Sequence, residues 1–219
     1  MRSLSWMVPL VVVALAGCGD TGGETEADEA ATPTPAVEAT TPAGDTAPGG
    51  ELACAPTASG AELTGRASPF DSITVAVGSG RAKVCYSRPS LRGRTMLGGE
   101  AVPWGQLWRF GANEPTIIHL NTAARIAGAE VEPGSYSLYA IPAEEGEWTL
   151  IVNRSTSQWG HEGQYTSEVQ AQEVGRYPVS AEATDETVER FTIRPNPDGS
   201  GVIAEWQDSR IHIPIEPRG

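Results

Sequence analysis

Downstream of residue 70 the chain alternates between apolar and polar positions in short runs, separated by Gly, Pro, Asn and Asp. A period of two puts successive side chains on opposite faces of an extended strand. It predicts strands at 73–77, 81–86, 116–120, 136–141, 148–152, 176–179, 189–194, 201–206 and 210–215. The last is the clearest, with Ile211, Ile213 and Ile215 on one face and Arg210 and His212 on the other. Asn196-Pro197-Asp198-Gly199 predicts a turn before 201–206, and Gln207-Asp208-Ser209 predicts a hairpin between the final two strands. No segment sustains a period of 3.6, although 166–174 accommodates one or two helical turns. The expectation is an all-β domain at 52–219, an antiparallel β-sandwich of about nine strands.

The N-terminal quarter departs from this pattern. After Arg2 comes an uncharged, largely apolar run at 4–17, too short to span a bilayer comfortably, which ends in Leu15-Ala16-Gly17-Cys18. That ending resembles the lipobox of bacterial lipoprotein signal peptides. It implies that 1–17 is a signal peptide and that Cys18 is lipidated; an ordinary secretory signal with an incidental cysteine is the alternative. Several acyl chains hold a protein on a membrane, because each buried methylene contributes about 0.8 kcal/mol. Residues 19–51 hold seven Thr, seven Ala, six Gly, four Pro and eight acidic residues, with Val37 the only branched aliphatic. Such a stretch buries too little apolar surface to offset its ordering entropy, so 18–51 reads as a disordered acidic linker. As a flexible coil it reaches roughly 30 to 35 Å.

Charge narrows the partners. The chain carries 15 basic against 28 acidic residues, a net charge of -13, which argues against general affinity for nucleic acid. With Cys18 acylated, Cys54 and Cys85 remain as a pair in an oxidising compartment, and a disulfide between them is expected.

Between 66 and 115 the balance inverts, because Arg66, Arg81, Lys83, Arg88, Arg92, Arg94 and Arg109 face only Asp71, Glu100 and Glu114. The same region contains Ser68-Pro69-Phe70-Asp71-Ser72, Tyr86-Ser87-Arg88-Pro89-Ser90-Leu91-Arg92-Gly93-Arg94, Pro103-Trp104-Gly105 and Leu107-Trp108-Arg109-Phe110-Gly111-Ala112-Asn113-Glu114. Pro133-Gly134-Ser135-Tyr136-Ser137-Leu138-Tyr139-Ala140-Ile141-Pro142 and Gln158-Trp159-Gly160 follow. In this order the segments resemble the bacterial family catalogued as domain of unknown function 2911, over about 66–215. The resemblance implies a β-rich domain, secreted or lipid-anchored, and supplies no activity. Phe70 stands where family members commonly carry His, which weakens any mechanism needing an imidazole there.

The chemistry of the residues leaves two classes of function open. Arg88, Arg92, Arg94 and Arg109 offer guanidinium forks for carboxylate or phosphate, and Trp104, Trp108 and Trp159 offer flat faces for sugars. With Asn113 and Glu114 they are the candidate lining of a pocket for a small anionic or sugar-like ligand, or for an envelope partner. The competing view is that Arg109 pairs with Glu114 while the other arginines brace a loop and the aromatics fill the core. The alternative function is a hydrolase using Glu114 as base with Arg88 and Arg109, for which no nucleophile or metal motif is evident. His119, His161 and His212 are scattered, and the sequence calls for no metal or cofactor. The expected setting is the bacterial cell envelope, with the chain held through Cys18.

Overall fold

The computed structural model describes residues 51–54 and 65–218. The expected signal peptide, Cys18 and all but the last residue of the expected linker lie outside them. Among the described residues no helix is long and apolar enough to cross a membrane.

The described chain folds into two antiparallel sheets. β1 (Phe70–Val77) turns at Gly78-Ser79 into β2 (Gly80–Ser87), and β3 (Thr116–Leu120) follows after a long loop. β4 (Ala124–Ile126) and β5 (Ala129–Val131) form a small hairpin. β6 (Gly134–Ile141), β7 (Trp148–Asn153) and β8 (Glu173–Val179) extend the first sheet, giving the order β1-β2-β3-β6-β7-β8. β9 (Ala181–Pro195) and β10 (Gly201–Pro217) complete the second, ordered β5-β4-β10-β9. The β-sandwich is as expected, with ten strands.

Alternation decides what each strand buries. β2 sends Ala82, Val84 and Tyr86 between the sheets and Arg81, Lys83, Cys85 and Ser87 to the outer face. β6 does the same with Tyr136, Leu138 and Ala140 against Ser135, Ser137 and Tyr139. β4 and β5 escape a sequence reading because each has three residues, and their two-residue turn carries positive φ at Ala127 (49°) as well as Gly128 (103°). Alanine is an unusual residue at that position of a hairpin turn.

One expectation is overturned. Residues 207–209 make no hairpin, and β10 runs unbroken through them beside β9. The register shifts on both sides of Gln207, whose φ is 56°, so a bulge absorbs what would have been a turn. Gln207 is held by the preceding loop: its Oε1 accepts from Met96 N at 2.8 Å and Leu97 N at 3.2 Å, and its Nε2 donates to Leu97 O at 3.3 Å. The turn at 196–199 forms as expected, with Gly199 N donating to Asn196 O at 2.9 Å.

The core is aromatic at one end. Trp108 stacks on Trp206 at 5.5 Å and meets Phe110, Trp148 and Phe191 edge-on. Trp108, Phe110, Leu91, Met96, Leu97 and Val102 all come from the loop between β2 and β3, which plugs the space between the sheets.

Candidate functional site

Four cations of the basic stretch, Arg88, Arg92, Arg94 and Arg109, belong to this plug and are occupied. Arg88 ties the sheets together, its Nε donating to Phe191 O at 3.1 Å, Nη1 to Asp71 at 3.1 Å and Nη2 to Thr192 Oγ1 at 2.7 Å. Arg92 donates to Ala67 O and Arg94 to Leu91 O. Arg109 donates to Asn113 O at 3.4 Å and to Glu162 at 3.2 Å, so it does not pair with Glu114. Glu114 is gripped instead by Arg66, with both carboxylate oxygens engaged at 2.6 and 2.9 Å. Only 5% of the Glu114 side chain is exposed.

The aromatic candidates divide similarly. Trp108 is core, and its indole N–H donates to Gly111 O at 3.0 Å. Trp104 packs edge-on against Trp148, directly over Gly98. Trp159 is the exposed one, at 37%. Its neighbour Gly160 has no room for a Cβ beside Asn113 O and Arg109, which brings Arg109, Asn113, Glu114 and the 159–162 loop together. Three of the nine candidates line three different cavities. Arg94 lines a cleft with Glu100, Trp104 lines another with the Glu144–Glu145 tip, and Glu114 lines a chamber of about 10 Å³ beside Ser87 and Phe70.

The outer face of the six-stranded sheet is built differently at its two ends. Over β6 and β7 the following loop is bound down by polar contacts. Ser137 Oγ donates to Ser155 O at 2.7 Å, Gln158 Nε2 donates to Tyr139 OH at 3.0 Å, and Asn153 Nδ2 donates to Val169 O at 2.7 Å. The loop contains a short 3-10 turn (Glu162–Gln164) and α1 (Ser167–Gln170). Tyr165 hydrogen-bonds Glu173, and burial raises its hydroxyl pKa above the usual phenol range.

Over β1, β2 and β3 the same face carries an open cleft of about 410 Å³, lined by Glu51, Leu52, Thr74, Ser79, Gly80, Arg81, Lys83 and Asn121. Gly80 lets the 121–122 turn close up, and Arg81 N donates to Asn121 Oδ1 at 2.7 Å. The Cys54–Cys85 disulfide pins residues 51–54 there, with Leu52 buried. Arg81 and Lys83 have no carboxylate within ion-pair distance among the described residues.

Strand register sets further polar groups beside Lys83. Thr74 is opposite Lys83, Lys83 opposite His119, and His119 opposite Ser135, a row crossing four strands on one face. His119 is 7% exposed; its Nδ1 lies 2.7 Å from Ser135 Oγ, and among the described residues its Nε2 has no hydrogen-bond partner. Burial first, then the Lys83 charge, holds its pKa below the usual imidazole value. The sequence reading passed over this row. Alternation in β2 puts Arg81, Lys83 and Cys85 on one face, but which residues of β1, β3 and β6 stand beside them is a matter of register. Among the described residues no cluster of three or more His, Cys, Asp or Glu is placed to hold a metal ion.

Comparison with known proteins finds no match among curated proteins and none among solved structures. The profile of a family described as protein of unknown function (DUF2911) matches residues 68–215, which takes in both sheets and the plug, and the chain belongs to that family.

Proposed function

We propose that this protein is a lipid-anchored extracytoplasmic binding module that takes a small oxyanion-bearing ligand in the cleft beside Lys83 and Arg81. One observation carries the reading: two cations without a carboxylate partner among the described residues share a cleft with hydroxyl and amide groups, while the arginines of the 88–109 loop donate to the fold itself. Carboxylate and phosphate both suit such a site. The hydrolase alternative has less support, because Glu114 has both oxygens on Arg66 and borders a chamber with room for about one water.

The envelope setting rests on Leu15-Ala16-Gly17-Cys18 and agrees with a disulfide, which persists in oxidising compartments. Cys18→Ser should release the protein from the membrane fraction or block its processing; unchanged fractionation and mass would remove the anchor from the reading. For the cleft, thermal unfolding of the full chain is followed against sulfate, phosphate and citrate, with chloride at equal ionic strength as control. A ligand at 100 times its Kd adds about 2.7 kcal/mol of stability, a shift of several degrees. The wild type should show such a shift with at least one oxyanion, and Lys83→Gln should lose most of it. No shift beyond chloride, or an equal shift in the variant, overturns the reading.

A further inference from the structure

We infer that His119 completes this anion site, taking up one solvent proton as an oxyanion settles beside Lys83 and donating that proton to the anion through Nε2. The inference rests on the reading of the Lys83–Arg81 cleft given above.

Among the described residues His119 Nε2 is buried without a hydrogen-bond partner, and an unmet buried polar atom costs on the order of 1 to 3 kcal/mol. Its other nitrogen is already committed to Ser135 Oγ, which fixes the ring. In the neutral ring one nitrogen donates and the other accepts, whichever tautomer Ser135 selects. In the protonated ring both donate: Nδ1–H to Ser135 Oγ, and Nε2–H outward. Only an acceptor with negative charge rewards that state next to Lys83.

The surrounding charges set the direction of the linkage. From β2, Lys83 stands directly opposite His119, with Arg81 two residues further along the same face. From β1 and β6 the facing groups are Thr74, Ser135 and Ser137, which carry no charge. Glu51, exposed, is the one acidic residue among the described residues that line the cleft. The charged groups of β2 that face His119 are therefore positive, and burial first, then Lys83, hold its pKa below the usual imidazole value. An anion beside Lys83 cancels the repulsion and supplies the missing acceptor, raising the pKa of His119. Affinity must then rise as the pH falls through the liganded pKa, and level off below the free one. The preferred ligand is a multiply charged oxyanion, which meets Lys83 and the imidazolium at once.

Sulfate is the appropriate probe, because it does not titrate in the range used. Calorimetry on the full chain between pH 5.5 and 8.5 should show a Kd that weakens by about tenfold per pH unit between the free and the liganded pKa of His119. Repeating it in buffers of different ionisation enthalpy should report close to one proton taken up. His119→Gln should bind sulfate with a flat pH profile and no proton uptake. The His119 imidazole 15N resonances of the wild type, with and without sulfate, give a readout that does not need the variant to fold: sulfate should move them to the cationic pattern. A Kd that does not change with pH, or resonances that stay neutral in saturating sulfate, overturns the role of His119 and leaves the Lys83–Arg81 cleft standing. No sulfate bound at pH 5.5 overturns both.

Discussion

Arg66 and Glu114, 48 residues apart, meet side by side, Nη1 donating to Oε2 at 2.6 Å and Nη2 to Oε1 at 2.9 Å. The pair clasps the start of β1 onto the chain entering β3. Burying both charges makes it costly to remove one, since the other is left without compensation.

Arg66→Ala and Glu114→Ala should therefore each cost about 3 to 5 kcal/mol in urea unfolding. Arg109→Ala should cost about 1 kcal/mol or less, because its partner Glu162 is 45% exposed. A larger loss for Arg109 than for Arg66 would refute this ranking.

The two adjacent classes of tryptophan should separate cleanly. Trp108→Ala removes the centre of the aromatic core and should cost about 3 to 5 kcal/mol, enough to leave little folded protein. Trp159→Ala should stay within about 0.5 kcal/mol of the wild type. Near-ultraviolet circular dichroism and melting curves check both.

Removing the disulfide tests fold and cleft together. It closes a loop with a sequence separation of 31, and Cys54→Ser should lower stability by about 3 to 4 kcal/mol in the chain-entropy account. The same change frees Leu52 from the cleft wall, so sulfate binding should weaken in whatever protein remains folded. Intact mass before and after reduction and alkylation checks the bridge.

Acid stability should report Glu205. Its carboxylate accepts from Arg194 at 2.9 and 3.0 Å and from Arg210 at 2.6 Å, and these contacts, Arg194 first, hold its pKa down at about 2. A depressed carboxylate stabilises the fold above its unfolded pKa near 4.5, and that contribution is lost as pH falls towards 2. Glu205→Gln should be less stable than the wild type by about 2 kcal/mol at pH 7, with the gap closing below pH 3. A gap that persists at pH 2 would contradict the assignment.

The sequence alone determined the β class, most strand positions and the face each strand buries, because alternation is a local property that burial enforces residue by residue. Ile211, Ile213 and Ile215 could face only inward. The pairing of Cys54 with Cys85, expected once Cys18 was read as acylated, is the one the structure has. Tertiary structure decided what local pattern does not encode. Gln207 looks like a turn residue, yet β10 continues through it because the amide finds its partners around Met96 and Leu97, 110 or more positions away. Arg109 and Glu114 lie close enough in sequence to suggest a pair, yet Arg66 arrives from before β1 and takes the carboxylate. Lys83, His119 and Ser135 become neighbours only through the registers of β2 with β3 and of β3 with β6. Register is fixed by the packing of whole faces, and a one-residue slip would have turned every one of those side chains into the core.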